Sequence, residues 1–91
     1  MQPSIEHLPE RGRFQAVVEG QTCIAEYRLD AGVMAVTHTE LAPQHEGRGI
    51  AGALMRALLD HAQAHGLKVL PLCAYARTYM DRHPERAALL A

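Results

Sequence analysis

The clearest chemistry in this chain lies in the stretch Gln44-His45-Glu46-Gly47-Arg48-Gly49-Ile50-Ala51. Gly47 and Gly49 let the backbone turn and let a bulky group approach it closely. Helical spacing begins directly after them, so the first helical N–H groups point outward without intrahelical partners. With the helix dipole they make an anion site suited to a pyrophosphate. The stretch is no P-loop, because no Gly-Lys-Ser/Thr follows, and its glycine spacing departs from the dinucleotide fingerprint. Cys73 is the second feature. It ends a short apolar run and precedes a helical segment, a position that favours thiolate over thiol. His38 and Glu40 are the third: two residues apart on a strand, they share one face. Cys23 falls mid-strand without such a context and reads as structural. His61 and His65 stand four apart on one helix, but neither a carboxylate motif nor a cysteine accompanies them, so no metal site is expected.

These groups need elements to hold them. From Phe14 the hydrophobic period is near two. Residues 14–19 read as a strand, Gly20-Gln21 as a two-residue turn, and residues 22–29 as the hairpin partner. Asp30-Ala31-Gly32 is a second turn, and residues 33–41, rich in β-branched side chains, form a third strand. After Gly47 the period changes: Ile50, Leu54, Ala57, Leu58 and His61 recur at helical spacing, with Arg56, Asp60 and Gln63 opposite. Gly66 is a suitable stop. Residues 67–73 read as a fourth strand, buried on both faces, with Pro71 interrupting its ladder. A second helix runs from Ala74 to Arg82. His83-Pro84 ends it, and Pro84 opens a last short helix.

Residues 1–12 are polar, contain Pro3, Pro9 and Gly12, and read as an N-terminal arm, which leaves residues 13–91 as one domain. The fold class is α/β (α+β): a three-strand antiparallel meander, a crossover helix, one parallel strand and short C-terminal helices. Such crossovers are right-handed in about 98% of cases. Open α/β sheets bind ligands beyond the carboxyl ends of their strands. Those ends are Thr39-Glu40-Leu41 and Leu72-Cys73.

Gln44-x-x-Gly47-x-Gly49 matches the Gln/Arg-x-x-Gly-x-Gly/Ala motif of the GNAT acetyltransferase superfamily. The chain resembles a minimal single-domain branch of that superfamily, which lacks the usual N-terminal helices. His38-Thr39-Glu40, Glu46-Gly47-Arg48-Gly49-Ile50-Ala51, Pro71-x-Cys73, Tyr79 and His83-Pro84-Glu85 carry the likeness, from residue 14 to about residue 86. Ala74-Tyr75 departs from the Pro-Phe that the branch usually shows after the cysteine.

The resemblance implies acetyl-CoA or coenzyme A as ligand. The pyrophosphate would sit on the amides of residues 45–50, Arg48 would add charge near it, and the pantetheine arm would lie between the third and fourth strands. A bulge near Leu41 would aim a strand amide at the thioester carbonyl. Cys73 would lie beside the acetyl group, and Tyr79 would protonate the departing thiolate. Acetyl transfer to an amine also needs a base, which His38 or Glu40 can supply directly or through water. Two routes stay open: an acetyl-enzyme on Cys73, or direct attack by the amine, the commoner course of GNAT chemistry.

Composition narrows the partners. The chain has 91 residues, so it is one small domain, and aromatic residues reach only 4%, so Leu, Val, Ile, Met and Ala must build the core. Lys and Arg number nine against ten Asp and Glu, a net charge of −1, and they form no run. Nucleic acid is therefore not expected as a partner. No apolar stretch approaches the roughly 18 residues of a membrane span, and residues 1–7 show no signal-peptide pattern. A cytoplasmic protein with free thiols is expected. The expected activity is acetyl-CoA-dependent N-acetylation of an amine on a small molecule or a protein. The alternative is a non-catalytic CoA-binding or protein-interaction module.

Overall fold

The computed structural model describes residues 4–91. Its elements are β1 (Glu6–Leu8), β2 (Arg13–Val18), β3 (Gln21–Asp30), β4 (Val33–Glu40), α1 (Ile50–Ala64), β5 (Lys68–Pro71) and α2 (Ala74–Arg82). Short 3-10 turns cover Pro9–Arg11, Pro43–His45 and Pro84–Leu89. The sheet order is β1-β2-β3-β4-β5. All neighbours are antiparallel except β4 and β5, which the α1 crossover makes parallel.

The expected architecture of meander, crossover helix and parallel strand is present, with one strand more than the sequence suggests. Residues 6–8 lie in the segment read as an arm, yet they pair with β2 in the register Glu6↔Gln15 to Leu8↔Arg13. Residues 1–3 of that segment lie outside the described residues. His7 is what fastens β1. Its ring stacks on Phe14 with centroids 4.1 Å apart, and its Nε2 lies 2.6 Å from the Tyr27 hydroxyl. Three residues are too few to show a period of two, so the strand is recruited by its neighbour rather than announced by its own pattern. The first turn also shifts by one residue. It is Glu19-Gly20, with φ of 52° and 76°, the positive pair that a tight hairpin needs.

The core lies between the sheet and α1. Phe14, Ala16, Cys23, Ala25, Tyr27, Met34 and Val36 from the strands meet Leu54, Met55, Leu58 and Leu59 from the helix. The other face of the sheet stays open. Val17 is 63% exposed and Leu70 40% exposed, each alternating with a core position on its strand. This corrects the expectation that the fourth strand is buried on both faces: its Val69 is fully buried, but the helices cover one side only.

A bulge in β4 decides which side chains face inward. Glu26 pairs with His38 and Tyr27 with Val36, so Thr37 has no partner in β3. Before the bulge Met34 and Val36 point to the core; after it Thr39, opposite the buried Ala25, takes the inner side. The bulge thus moves His38 and Glu40 to the open face, though simple alternation would align them with Met34 and Val36.

Candidate active site

The parallel ladder between β4 and β5 ends early. Pairing runs from Val33↔Lys68 to Val36↔Pro71. The Val36 carbonyl then accepts the N–H groups of both Leu72 (3.0 Å) and Cys73 (3.1 Å). Among the described residues, none of β4 beyond Val36 pairs with β5, so the two strands fork and leave the backbone of residues 37–40 open on that side.

A cavity of about 610 Å³ opens beside that free stretch of β4. Thr39, Glu40 and Leu41 form one wall. His45, Glu46, Gly47 and Gly49 bound it from the loop, and Ile50, Ala51 and Gly52 from the first turn of α1. Tyr75 of α2 closes it. The volume is that of an ordinary small-molecule site.

The loop gets its shape from its own residues. A 3-10 turn over Pro43–His45 is closed by bonds from His45 N to Ala42 O (2.9 Å) and Glu46 N to Pro43 O (3.2 Å). Gly47 and Gly49 both take the left-handed conformation, with φ of 79° and 80°, and open space lies where a Cβ would stand on either. Gly49 is the N-cap of α1 and offers no capping side chain. The first helical bond at this end runs from Ala53 N to Gly49 O (3.0 Å). The N–H groups of Ile50, Ala51 and Gly52 therefore lack helical acceptors and border the cavity. That donor set, with open backbone around both glycines, fits a pyrophosphate.

Of the residues read from sequence as ligand-binding, Leu41, His45, Glu46, Gly47, Gly49, Ile50 and Ala51 line the cavity, and Gln44 and Arg48 do not. Two side chains of the loop pair with the β2–β3 turn. His45 is fully buried. Its Nε2 donates to Glu19 Oε1 at 3.0 Å, and its Nδ1 lies 3.8 Å from Cys23 Sγ, so its ring is engaged inside the fold. Arg48 Nη1 donates to that same Glu19 oxygen at 2.6 Å, an ion pair that engages the side chain expected near the phosphates. Arg48 and then His45 hold the Glu19 carboxyl below the usual carboxylate range.

The residues read as catalytic are spread out. Glu40 borders the cavity. His38 stands two residues away on the open face and donates from Nε2 to Glu40 Oε1 at 3.2 Å; their side chains are 51% and 64% exposed. Cys73 is the N-cap of α2, its Sγ accepting the Ala76 N–H at 3.4 Å, and it stands at the fork rather than in the cavity wall. Tyr79 stacks on His83 with centroids 4.0 Å apart and is not part of the wall. The bulge expected near Leu41 is at Thr37.

Thr39, Gly52 and Tyr75 line the cavity without being read from sequence as site residues; Thr39 figures there only as part of a strand end and a motif, and Tyr75 only as a departure from the family pattern. Tyr75 had one usable signal: it precedes Tyr79 by four residues and so shares its helix face. Burial, with Tyr79 beside it, pushes the Tyr75 phenol above its ordinary value. Away from the cavity, the His61 and His65 rings stack at 4.1 Å, with His61 edge-on to His7 at 4.5 Å.

Comparison with known proteins agrees with this geometry. A family model described as GCN5-related N-acetyl-transferase matches residues 13–89. Protein NATD1 of Mus musculus is 30% identical over 84 residues, covering 88% of this chain and 76% of its own. Protein NATD1 of Homo sapiens is also 30% identical over 84 residues, covering 88% of this chain and 74% of its own. The solution structure of a GCN5-like protein from Staphylococcus aureus superposes with a TM-score of 0.80 at 18% identity, covering 99% of this chain and 89% of that one. At that identity the likeness shows the fold. The family match and the curated relatives carry the assignment further: the chain belongs to the GCN5-related N-acetyltransferase family, and its activity class is acetyl transfer.

Proposed function

We propose that the protein is a cytoplasmic, acetyl-CoA-dependent N-acetyltransferase acting on an amine of a small molecule or a protein. The observation that carries this reading is the cavity between the forked end of β4 and the glycine-shaped start of α1. Acetyl-CoA would supply an activated acyl group as a thioester. The amides of Ile50, Ala51 and Gly52 hold its pyrophosphate, and the open backbone of residues 37–40 offers a ladder for the amide-bearing pantetheine arm. Glu40, at the cavity's edge with its carboxyl on the open face of the sheet, takes the proton of an amine that approaches from that face, directly or through water, since it alone of the four catalytic candidates borders the cavity. Tyr75 closes the far side and limits water there. The net charge of −1 and the dispersed cations favour an amine acceptor over nucleic acid.

Calorimetry with coenzyme A, paired with a steady-state assay of acetyl-CoA against a panel of amines, tests this. Binding that Gly49→Asp abolishes, together with turnover on at least one amine, is the expected result. Gly49→Asp places a side chain and a negative charge in the space open at that glycine. Equal affinity in the two proteins overturns the assignment of the loop.

A further inference from the structure

The β2–β3 turn lies far in sequence from the anion loop, 26 residues before His45 and 29 before Arg48, yet it holds that loop through one oxygen. Glu19 Oε1 accepts from Arg48 Nη1 at 2.6 Å and from His45 Nε2 at 3.0 Å. With Nε2 donating, His45 Nδ1 is left to face the Cys23 thiol, itself fully buried. Buried His45 and Cys23, with the exposed Glu19–Arg48 pair beside them, thus anchor one side of the loop, while Glu46, Gly47 and Gly49 border the cavity.

The side-chain partners of Glu19, rather than its backbone, make this arrangement informative. The φ of Glu19 is +52°, a region where turns of this kind favour Asn or Gly. Ala31 shares that conformation in the β3–β4 turn, with φ of +50°, so the backbone alone assigns Glu19 no role outside its turn. The ion pairs supply one: they also lower the proton affinity of the carboxyl and keep it charged.

We infer that Glu19 is a positioning residue for acetyl-CoA, tethering the pyrophosphate loop to the β2–β3 hairpin through His45 and Arg48. The inference rests on the reading of that loop as the coenzyme site. Arg48 then serves as a strut, and the loop amides do the binding. Losing the tether costs affinity because the ligand must order the loop as it binds.

The test compares Glu19→Asn, Glu19→Gln, Arg48→Gln and the double variant Glu19→Asn with Arg48→Gln. Glu19→Asn suits the positive φ but takes the acceptor from the buried His45 Nε2, so the melting temperature should hold or fall slightly. The dissociation constant for coenzyme A should nevertheless weaken by about tenfold, the scale of one or two lost charge-assisted hydrogen bonds. In turnover the loss should appear in KM for acetyl-CoA rather than in kcat. Glu19→Gln keeps an accepting oxygen and should recover part of the affinity. Because both ends belong to one tether, the double variant should be no weaker than the worse single variant. Unchanged or tighter binding in Glu19→Asn, or additive losses in the double variant, overturns the inference. If the wild-type protein binds no coenzyme A, the coenzyme reading of the loop fails. Hydrogen exchange of residues 43–50 in the free protein then decides the tether alone: faster exchange in Glu19→Asn supports it, and equal exchange rejects it.

Discussion

The amide of Cys73 donates to the carbonyl of Val36 at 3.1 Å, which seats the cysteine at the fork of β4 and β5. The contact is made by the backbone. The thiol itself caps α2 by accepting the Ala76 N–H.

That geometry sets an expectation for Cys73. Cys73→Ser replaces one cap with a better one and should leave the melting temperature unchanged or higher. Cys73→Ala removes the cap and should destabilise by about 0.5–1 kcal/mol, the low end for lost caps. Both variants should retain substantial turnover if the amine attacks the thioester directly. Mass spectrometry after mixing with acetyl-CoA alone should show no acetyl group on the peptide holding Cys73. An acetylated peptide, with both variants inactive but still binding coenzyme A, would establish the covalent route instead.

Glu40 and His38 share a hydrogen bond but not a position relative to the cavity. Glu40→Gln should therefore lower kcat by about 100-fold or more, within the range of lost general-base catalysis. His38→Gln should cost less than about tenfold, since it acts only through Glu40. The reverse order in kcat would exchange their roles.

The histidines around β1 make stability depend on pH. Burial holds both His7 and His61 below the ordinary value of 6.5; Glu10 partly opposes it at His7, His7 adds to it at His61, and His65 adds to it at both. The unfolded chain then binds more protons than the folded one as pH falls through 6.5. The linkage sign makes stability highest above that value and progressively lost below it. Thermal melts from pH 8 down to pH 5 should show a falling midpoint. His61→Gln combined with His7→Gln should flatten the slope, and an unaltered slope in that protein would remove these rings as its source.

Local signals carried far in this chain. The change of period at Gly47, the stop at Gly66 and the break at His83-Pro84 marked α1 and α2, because helix spacing and proline geometry act within a few residues. The two glycines marked the loop for the same reason: a left-handed φ is a demand made at one residue. What the chain decided only on folding depends on register. Thr37 became a bulge because β3 pairs with β4 on both sides of it, and that single offset sent His38 and Glu40 to the open face. No pattern along residues 33–41 discloses such an offset, since alternation reads the same until a partner strand is laid beside it. β1 and the Glu19 tether are of the same kind. His7 finds Phe14 and Tyr27, and Glu19 finds His45 and Arg48, across separations that only the packed sheet closes. Sequence alone settled the types of the main elements after residue 13 and the place where the glycine loop turns. Tertiary structure settled which side chains reach the cavity, because strand register and long-range ion pairs are properties of two segments together.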